Sequence, residues 1–197
     1  MADPETIKTY STQVEKYQKV AMTDAESRAL GQFLAHLEQG AHILDLGCGP
    51  GHHSEQMLAA GFQVAAIDAT PEFVETARAR GVDARLGLFD DLTEVAAYDA
   101  IWASFSLLHA PRADFPRHLD AIHKALRTKG HLYLGLKLGE GEKRDSIGRF
   151  YAYFQEDELR DHLAARDFAI KDWTVGEGAG LSGEVHPFVL ITAQRTT

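Results

Sequence analysis

Two carboxylates flank a run of glycines in this chain, and that arrangement is its best candidate for chemistry. In Ile43–Gly51, ILDLGCGPG, an apolar strand pattern runs directly into Gly47, Gly49 and Gly51. Glycines at such a turn leave backbone N–H groups open to a ligand. Asp45 precedes the loop and can face a cationic group such as an ammonium. Asp68 ends the next apolar run, VAAID, where a carboxylate can accept hydrogen bonds from both hydroxyls of a ribose. A plainer role for Asp68 is a negative charge at the N-terminus of the segment after Thr70. A turn with no ligand explains the loop badly, because each surplus glycine costs roughly 0.5 to 1 kcal/mol in chain entropy.

The spacing discriminates between nucleotide ligands. A dinucleotide fingerprint reads G-x-G-x-x-G, its last glycine letting the helix pack on the strand and aim its N-terminus at a pyrophosphate. Here that position is His52, whose imidazole suits so crowded a contact poorly. A Walker A loop is excluded because no Gly-Lys-Ser/Thr follows. A glycine loop between two carboxylates, with no demand for a phosphate, suits an adenosyl amino acid such as S-adenosylmethionine. Ile43–Gly51 indeed resembles motif I of the class I S-adenosylmethionine-dependent methyltransferases nearly residue for residue. The resemblance extends from about Gly40 to the C-terminus and is most specific over Ile43–Asp68. It implies a cofactor cradle of Asp45, Gly47, Cys48, Gly49 and Asp68, with Cys48 as a small apolar filler rather than a nucleophile. Nicotinamide-dependent oxidation and a non-catalytic adenosyl-binding module stand as the alternatives.

Further contacts follow from place in the chain. Ala69 and Phe73, just after Asp68, offer an apolar edge to a purine. In LGLFDDL, Leu86–Leu92, the resemblance leads one to expect an acid followed by an apolar residue that read the adenine edge, yet Leu88 stands where the acid should be. Either Phe89 packs on the purine while backbone groups read its edge, or the register shifts and Asp90 takes the amine; Asp91 reads as a solvated loop charge. Tyr10 can close over the methionine carboxylate with its hydroxyl, or simply pack.

The acceptor side lies in Tyr98–Arg112, YDAIWASFSLLHAPR, and Lys137–Tyr153, which resemble small bacterial methyltransferases related to the tellurite-resistance type. Trp102, Ser104 and Ser106 sit at and beyond the end of a strand, beside the expected methyl group, with Ser104 also a cofactor contact; Trp102 is equally a core residue. His109 is the candidate base, since a neutral imidazole accepts a proton near pH 7, or else it packs against the cofactor or caps the next helix. Lys137, Arg149, Tyr151 and Tyr153 form either a lid holding a small anionic or aromatic acceptor or a solvated loop with aromatic anchors. Trp173 and His186 read as packing residues. No metal is assigned, because His52 and His53 are adjacent and the other histidines lack ligand spacing.

The elements that must position these groups alternate. A helical pattern spans Thr6–Leu37, with Leu30, Phe33, Leu34 and Leu37 on one face. Strands follow at His42–Leu46, Val64–Asp68, Ala84–Leu88, Asp99–Ala103 and His131–Lys137, separated by helices over Gly51–Ala60, Pro71–Arg80 and Phe115–Leu126. A glycine- and charge-rich connection, Leu138–Arg149, leads to a helix at Glu156–Ala165. Two last strands, Ala169–Val175 and Phe188–Ala193, flank the loop Gly176–Gly183 and should be antiparallel. This is an α/β pattern, a Rossmann-like doubly wound sheet of seven strands, for which the resemblance implies the order 3-2-1-4-5-7-6 with strand 7 antiparallel.

With 197 residues the chain is read as one domain, residues 1–40 a helical cap over the strands' carboxyl ends and 41–197 the core. A net charge of -9 argues against nucleic acid, whose phosphates call for basic patches. No apolar run approaches a membrane span, and MADPETIKTY lacks the basic and apolar regions of a secretory signal. The expected protein is cytoplasmic, a monomer or homodimer, acting on a small molecule.

Overall fold

The computed structural model describes residues 3–19, 22–180 and 183–197. The N-terminal pattern, expected as one helical stretch, is three helices: α1 (Pro4–Thr12), α2 (Val14–Gln18) and α3 (Asp24–Leu34). Two caps divide it. The Thr6 N–H donates to Asp3 Oδ2 at 2.8 Å ahead of α1, and Thr23 with Glu26 forms a reciprocal capping box that starts α3. Val20 and Ala21 lie outside the described residues. Leu30 and Phe33 of α3 are buried, and Leu34 and Leu37 pack beside them at partial exposure.

The alternating middle follows the sequence pattern closely: β1 (His42–Leu46), α4 (His52–Ala59), β2 (Gln63–Asp68), α5 (Pro71–Ala79), β3 (Asp83–Leu86), β4 (Tyr98–Ser104), α6 (Phe115–Ala125) and β5 (Leu126–Lys137). All of these strands run parallel. β5 begins earlier than expected, because Leu126 already pairs with Tyr98 across a bulge.

The connection after Lys137 is not loop throughout. It folds into a hairpin of β6 (Glu142–Arg144) and β7 (Phe150–Ala152). Asp145 builds its turn, accepting the N–H groups of Ile147 and Arg149 at 3.2 and 2.9 Å, an Asx-type turn that hydropathy does not reveal. α7 (Glu156–Ala164) then leads to β8 (Phe168–Ala179) and β9 (Val185–Arg195), both longer than expected. Much of the presumed glycine loop is therefore paired strand, Gly176 opposite Phe188 and Gly178 opposite His186. A side chain at Gly176 would start 2.7 Å from the Phe188 ring, which explains the glycine. Leu181 and Ser182, at the tip, lie outside the described residues.

The sheet order is β3-β2-β1-β4-β5-β9-β8, with β9 antiparallel to both neighbours. Leaving out the separate β6–β7 hairpin, this is the expected 3-2-1-4-5-7-6. One face of the sheet packs Leu44, Leu46, Ile101 and Leu134 against α6 and α7. The other packs Ile43 and Ala100 against Met57 of α4 and Phe33 of α3. Trp102 belongs to that second core: it is 1% exposed and stacked on Tyr133 at 3.6 Å, so it is not an acceptor wall. Among the described residues no helix is long and apolar enough to cross a membrane.

Candidate functional site

The glycine loop closes the carboxyl end of β1 against its neighbours. The N–H groups of Gly47 and Cys48 both donate to the Ile67 carbonyl, at 2.8 and 3.1 Å, which ties the loop to β2. Gly47 has φ +80°, and a Cβ there would lie 2.3 Å from the Ser106 Cβ, so both conformation and space demand glycine. Gly51, φ +85°, lets α4 approach α5: a Cβ there would meet Ala77 at 2.9 Å. Cys48 is buried, as expected of a filler, and burial raises its thiol well above the ordinary range.

Both carboxylates are at the loop, in different states. Asp45 is 2% exposed and accepts a 2.6 Å hydrogen bond from the Ser54 hydroxyl at the start of α4. Burial pushes its pKa up to about 7 and the nearby Asp68 charge adds to this, while the Ser54 bond works the other way. At neutral pH it is therefore poised to ionise beside a cation. Asp68 accepts from Gly49 N and Thr70 N, each at 2.8 Å, and burial raises its pKa despite those bonds. The Thr70 side chain and the Ala69 backbone also help hold the carboxylate in place at the end of β2.

Phe89 and Asp90 separate cleanly. Phe89 opens a single 3₁₀ turn, Phe89–Asp91, and its ring lies 3.6 Å from where a Gly47 Cβ would stand, so it faces the loop. Asp90 turns the other way: it is held by Arg117 and by His118 Nε2 at 3.1 Å, both on α6. The shifted register that gave Asp90 the adenine amine is thereby corrected, because two α6 side chains take the carboxylate. Asp91 is exposed, as expected of a solvated loop charge, and also caps its own turn by accepting from Leu88 N at 2.8 Å. Ala69 is partly exposed beyond β2. Phe73 is buried under the cap, with the rings of Tyr10 and Tyr17 each 5.6 Å away.

At the end of β4, Ser104 is partly buried opposite Gly135. Ser106 is buried, and its hydroxyl donates to the Leu46 carbonyl at 2.6 Å. Its hydroxyl hydrogen is committed to the loop rather than offered to an acceptor, a correction of the substrate contact expected from sequence.

His109, in the 3₁₀ turn Leu107–His109, bridges cap and hairpin. Its Nδ1 lies 2.7 Å from the Phe150 carbonyl, which can only accept, so Nδ1 carries the proton. Nε2 is then the acceptor for the Tyr10 hydroxyl at 2.6 Å. Burial holds the imidazole pKa down at about 4, with the Arg149 and Lys137 charges in the same direction and the Phe150 bond opposing. His109 is a neutral base with its lone pair covered by Tyr10. Tyr10 is thus a partner of His109, and burial keeps its phenol protonated.

Lys137, Arg149 and Tyr151 do come together, and all three are buried. Arg149 donates through Nε and Nη2 to Asp145 Oδ2 at 2.9 and 2.7 Å, and through Nη1 to the Tyr17 hydroxyl at 2.5 Å. Lys137 Nζ sits 3.8 Å over the Tyr151 ring, and that ring lies 4.7 Å from His109. Tyr153 is buried too, its ring 5.5 Å from His186. Trp173 is partly buried, its indole donating to Glu156 at 2.8 Å. Sequence reasoning missed Asp145 and Tyr17. The Asp145–Arg149 charge spacing was a usable signal, whereas nothing local marks Tyr17.

A strand order of this kind, with a glycine loop at the carboxyl end of β1, defines the Rossmann-like fold of the methyltransferases. Residues 43–130 match the family model described as a methyltransferase domain. The ubiquinone biosynthesis O-methyltransferase of Xanthomonas oryzae pv. oryzae is 38% identical over 103 residues, 48% of this chain; the chain thus spans only 42% of that relative's length. Among solved structures, the Burkholderia thailandensis 1,6-didemethyltoxoflavin-N1-methyltransferase, with 1,6-didemethyltoxoflavin and S-adenosylhomocysteine bound, superposes with a TM-score of 0.76 at 24% identity, over 97% of this chain and 87% of that one. The [4+2]-cyclase SpnF has a TM-score of 0.72 at 19% identity, over 91% and 85% of the two chains. Those two likenesses establish the fold.

Proposed function

We propose that this protein transfers a methyl group from S-adenosylmethionine to a small-molecule acceptor and releases S-adenosylhomocysteine. One observation carries the reading: Asp45, the glycine loop and Asp68 converge at the carboxyl ends of β1 and β2, inside the stretch that matches the methyltransferase domain. The fold alone would not suffice, since a cyclase shares it. When bound, S-adenosylmethionine supplies a methyl carbon on a sulfonium, whose C–S bond breaks with the electron pair going to sulfur.

The chain's part is mainly alignment and exclusion of water. Asp45 faces the ammonium of the amino-acid end, and a neighbouring cation draws it from near-neutral pKa to the ionised form. Asp68 accepts from the ribose hydroxyls, and Phe89 with Ala69 borders the purine. α1 closes the mouth: Thr6 Oγ1 accepts from Phe150 N at 2.8 Å, and Ser11 donates to Glu72 at 2.7 Å. His109, Lys137, Arg149 and Tyr151 border the acceptor. The finer likeness to the tellurite-resistance type is carried by the sequence of Tyr98–Arg112 and Lys137–Tyr153.

Calorimetry tests the reading. S-Adenosylmethionine and S-adenosylhomocysteine should bind and NADH should not. Comparable or tighter NADH binding would replace it with the nicotinamide alternative, and cofactor binding without product release from any pooled metabolite would favour a non-catalytic module.

A further inference from the structure

We infer that the acceptor is a flat monoanion, whose carboxylate is received by Lys137 beside Arg149. The inference deepens the proposed methyl transfer and rests on it. Lys137, at the carboxyl end of β5, is 8% exposed, and its Nζ has no hydrogen-bond partner among the described residues. An ammonium has three donors, and burying it with none of them used is costly unless a ligand supplies the acceptor. The Tyr151 face 3.8 Å below offsets part of the charge and satisfies none of those N–H groups.

The surrounding charges leave one positive charge over. Arg149 is matched by Asp145, with both side chains nearly inaccessible at 4% and 1%. His109 is neutral, and Tyr10, Tyr17 and Tyr151 are held protonated by burial. Glu184 acts on Lys137 through space, but its carboxylate is 47% exposed beside His186 and gives Nζ no hydrogen bond among the described residues. The surplus belongs to Lys137, and a single negative charge balances it where a dianion would overshoot.

Geometry points to where that charge sits. A Cβ at Gly180, in the β8–β9 connection, would have as its nearest described neighbours Lys137 Nζ and Arg149 Nη2, each at 3.9 Å. Two cations thus converge on a spot that no side chain of the described residues fills. Arg149 uses three N–H groups on Asp145 and Tyr17 and has others to share. The adjoining wall is aromatic, with Tyr151 and Tyr153, so the body attached to the carboxylate is flat and apolar.

The test uses benzoate, benzamide and phenyl phosphate as probes in calorimetry, with and without S-adenosylhomocysteine. S-Adenosylhomocysteine is titrated first on its own, so that failure of the methyl-donor reading shows separately from failure at Lys137. Benzoate should bind at least tenfold more tightly than benzamide and more tightly than phenyl phosphate. Lys137→Met should weaken benzoate tenfold or more without weakening S-adenosylhomocysteine, and Lys137→Arg should restore most of the loss. Equal binding of benzoate and benzamide, a preference for the phosphate, or benzoate affinity unchanged in Lys137→Met would each overturn the inference. Should Lys137→Met fail to fold, the benzoate-to-benzamide ratio of the unaltered protein decides.

Discussion

The half of the site around β1 and β2 and the half around the cap and the β6–β7 hairpin are built by different rules. The first is local: a strand, a glycine turn and a helix N-terminus arrange Asp45, Gly47 and Asp68 through backbone geometry and near neighbours. The second is assembled from distant segments. Tyr10 meets His109 across 99 residues, Thr6 meets Phe150 across 144, and Asp3 meets Arg144 across 141. Local geometry specifies most of the cradle, with Ser106 as a distant tie.

The sharpest way to break the first half is at Gly47. Gly47→Ala meets Ser106 at 2.3 Å and takes a left-handed backbone as well, which together cost roughly 2 to 5 kcal/mol. Gly49→Ala has the same sign of φ but nothing within 4 Å, so only the backbone cost of roughly 1 to 2 kcal/mol applies. Urea unfolding of the pair measures the difference, and equal losses would show that crowding by Ser106 is unimportant.

That contrast also explains what was legible in the sequence. β1, β2 and α5 lie within a residue of their expected bounds, because glycine, proline and apolar runs punctuate them locally. Asp90 was open to misreading because its captors, Arg117 and His118, lie on another helix. Lys137, Arg149 and Tyr151 were legible as a group from composition. Asp145, which neutralises Arg149 and forms the hairpin turn, was hidden in a stretch that resembled loop.

A second comparison sets His109 against Asp45 in their response to pH. The unfolded imidazole binds a proton below about 6.5 and the folded one only below about 4, so stability is full above that window and falls as pH drops through it. The loss is on the order of 3 kcal/mol, and His53, lowered by burial to about 4 as well, adds in the same sense. Asp45 runs the other way. Its unfolded carboxyl releases a proton near 3.8 and the folded one at about 7, so its contribution falls as pH rises between them. His109→Gln should flatten the acid-side fall in denaturation midpoint, and Asp45→Asn should steepen it. Identical pH profiles for the two variants would refute the assignment.

Cofactor affinity distinguishes the two carboxylates more finely. Asp68→Ala removes charge-assisted bonds worth about 1.5 to 3 kcal/mol, so S-adenosylhomocysteine should bind roughly tenfold or more weakly. An unchanged dissociation constant in a folded variant would place the ribose elsewhere. At Asp45 the effect is a slope: binding should weaken by up to about tenfold for each pH unit below 7, because the carboxyl must ionise to face the ammonium. Buffers of differing ionisation enthalpy should report a proton released on binding at pH 6, and a pH-independent affinity would remove Asp45 from the amino-acid end.

The smallest effect is expected where the two halves meet. Tyr10→Phe deletes one hydroxyl, the donor to His109 Nε2. A net hydrogen bond of this kind is worth about 1 kcal/mol, and the stranded imidazole nitrogen can turn to water once the cap loosens. The cap keeps its other ties, with Arg144 donating from Nη1 and Nη2 to Asp3 at 2.9 and 2.7 Å and Gln18 donating to Thr76 at 2.6 Å. Folding should therefore survive with a loss near 1 kcal/mol, and, on the proposed division of the site, S-adenosylhomocysteine affinity should be nearly unchanged, since the Tyr10 hydroxyl is spent on His109. Hydrogen exchange should quicken in α1 while β1 and β2 stay protected. If cofactor affinity instead fell as far as in Asp68→Ala, Tyr10 would belong to the cradle, and the division between a local half and a long-range half would have to be redrawn through α1.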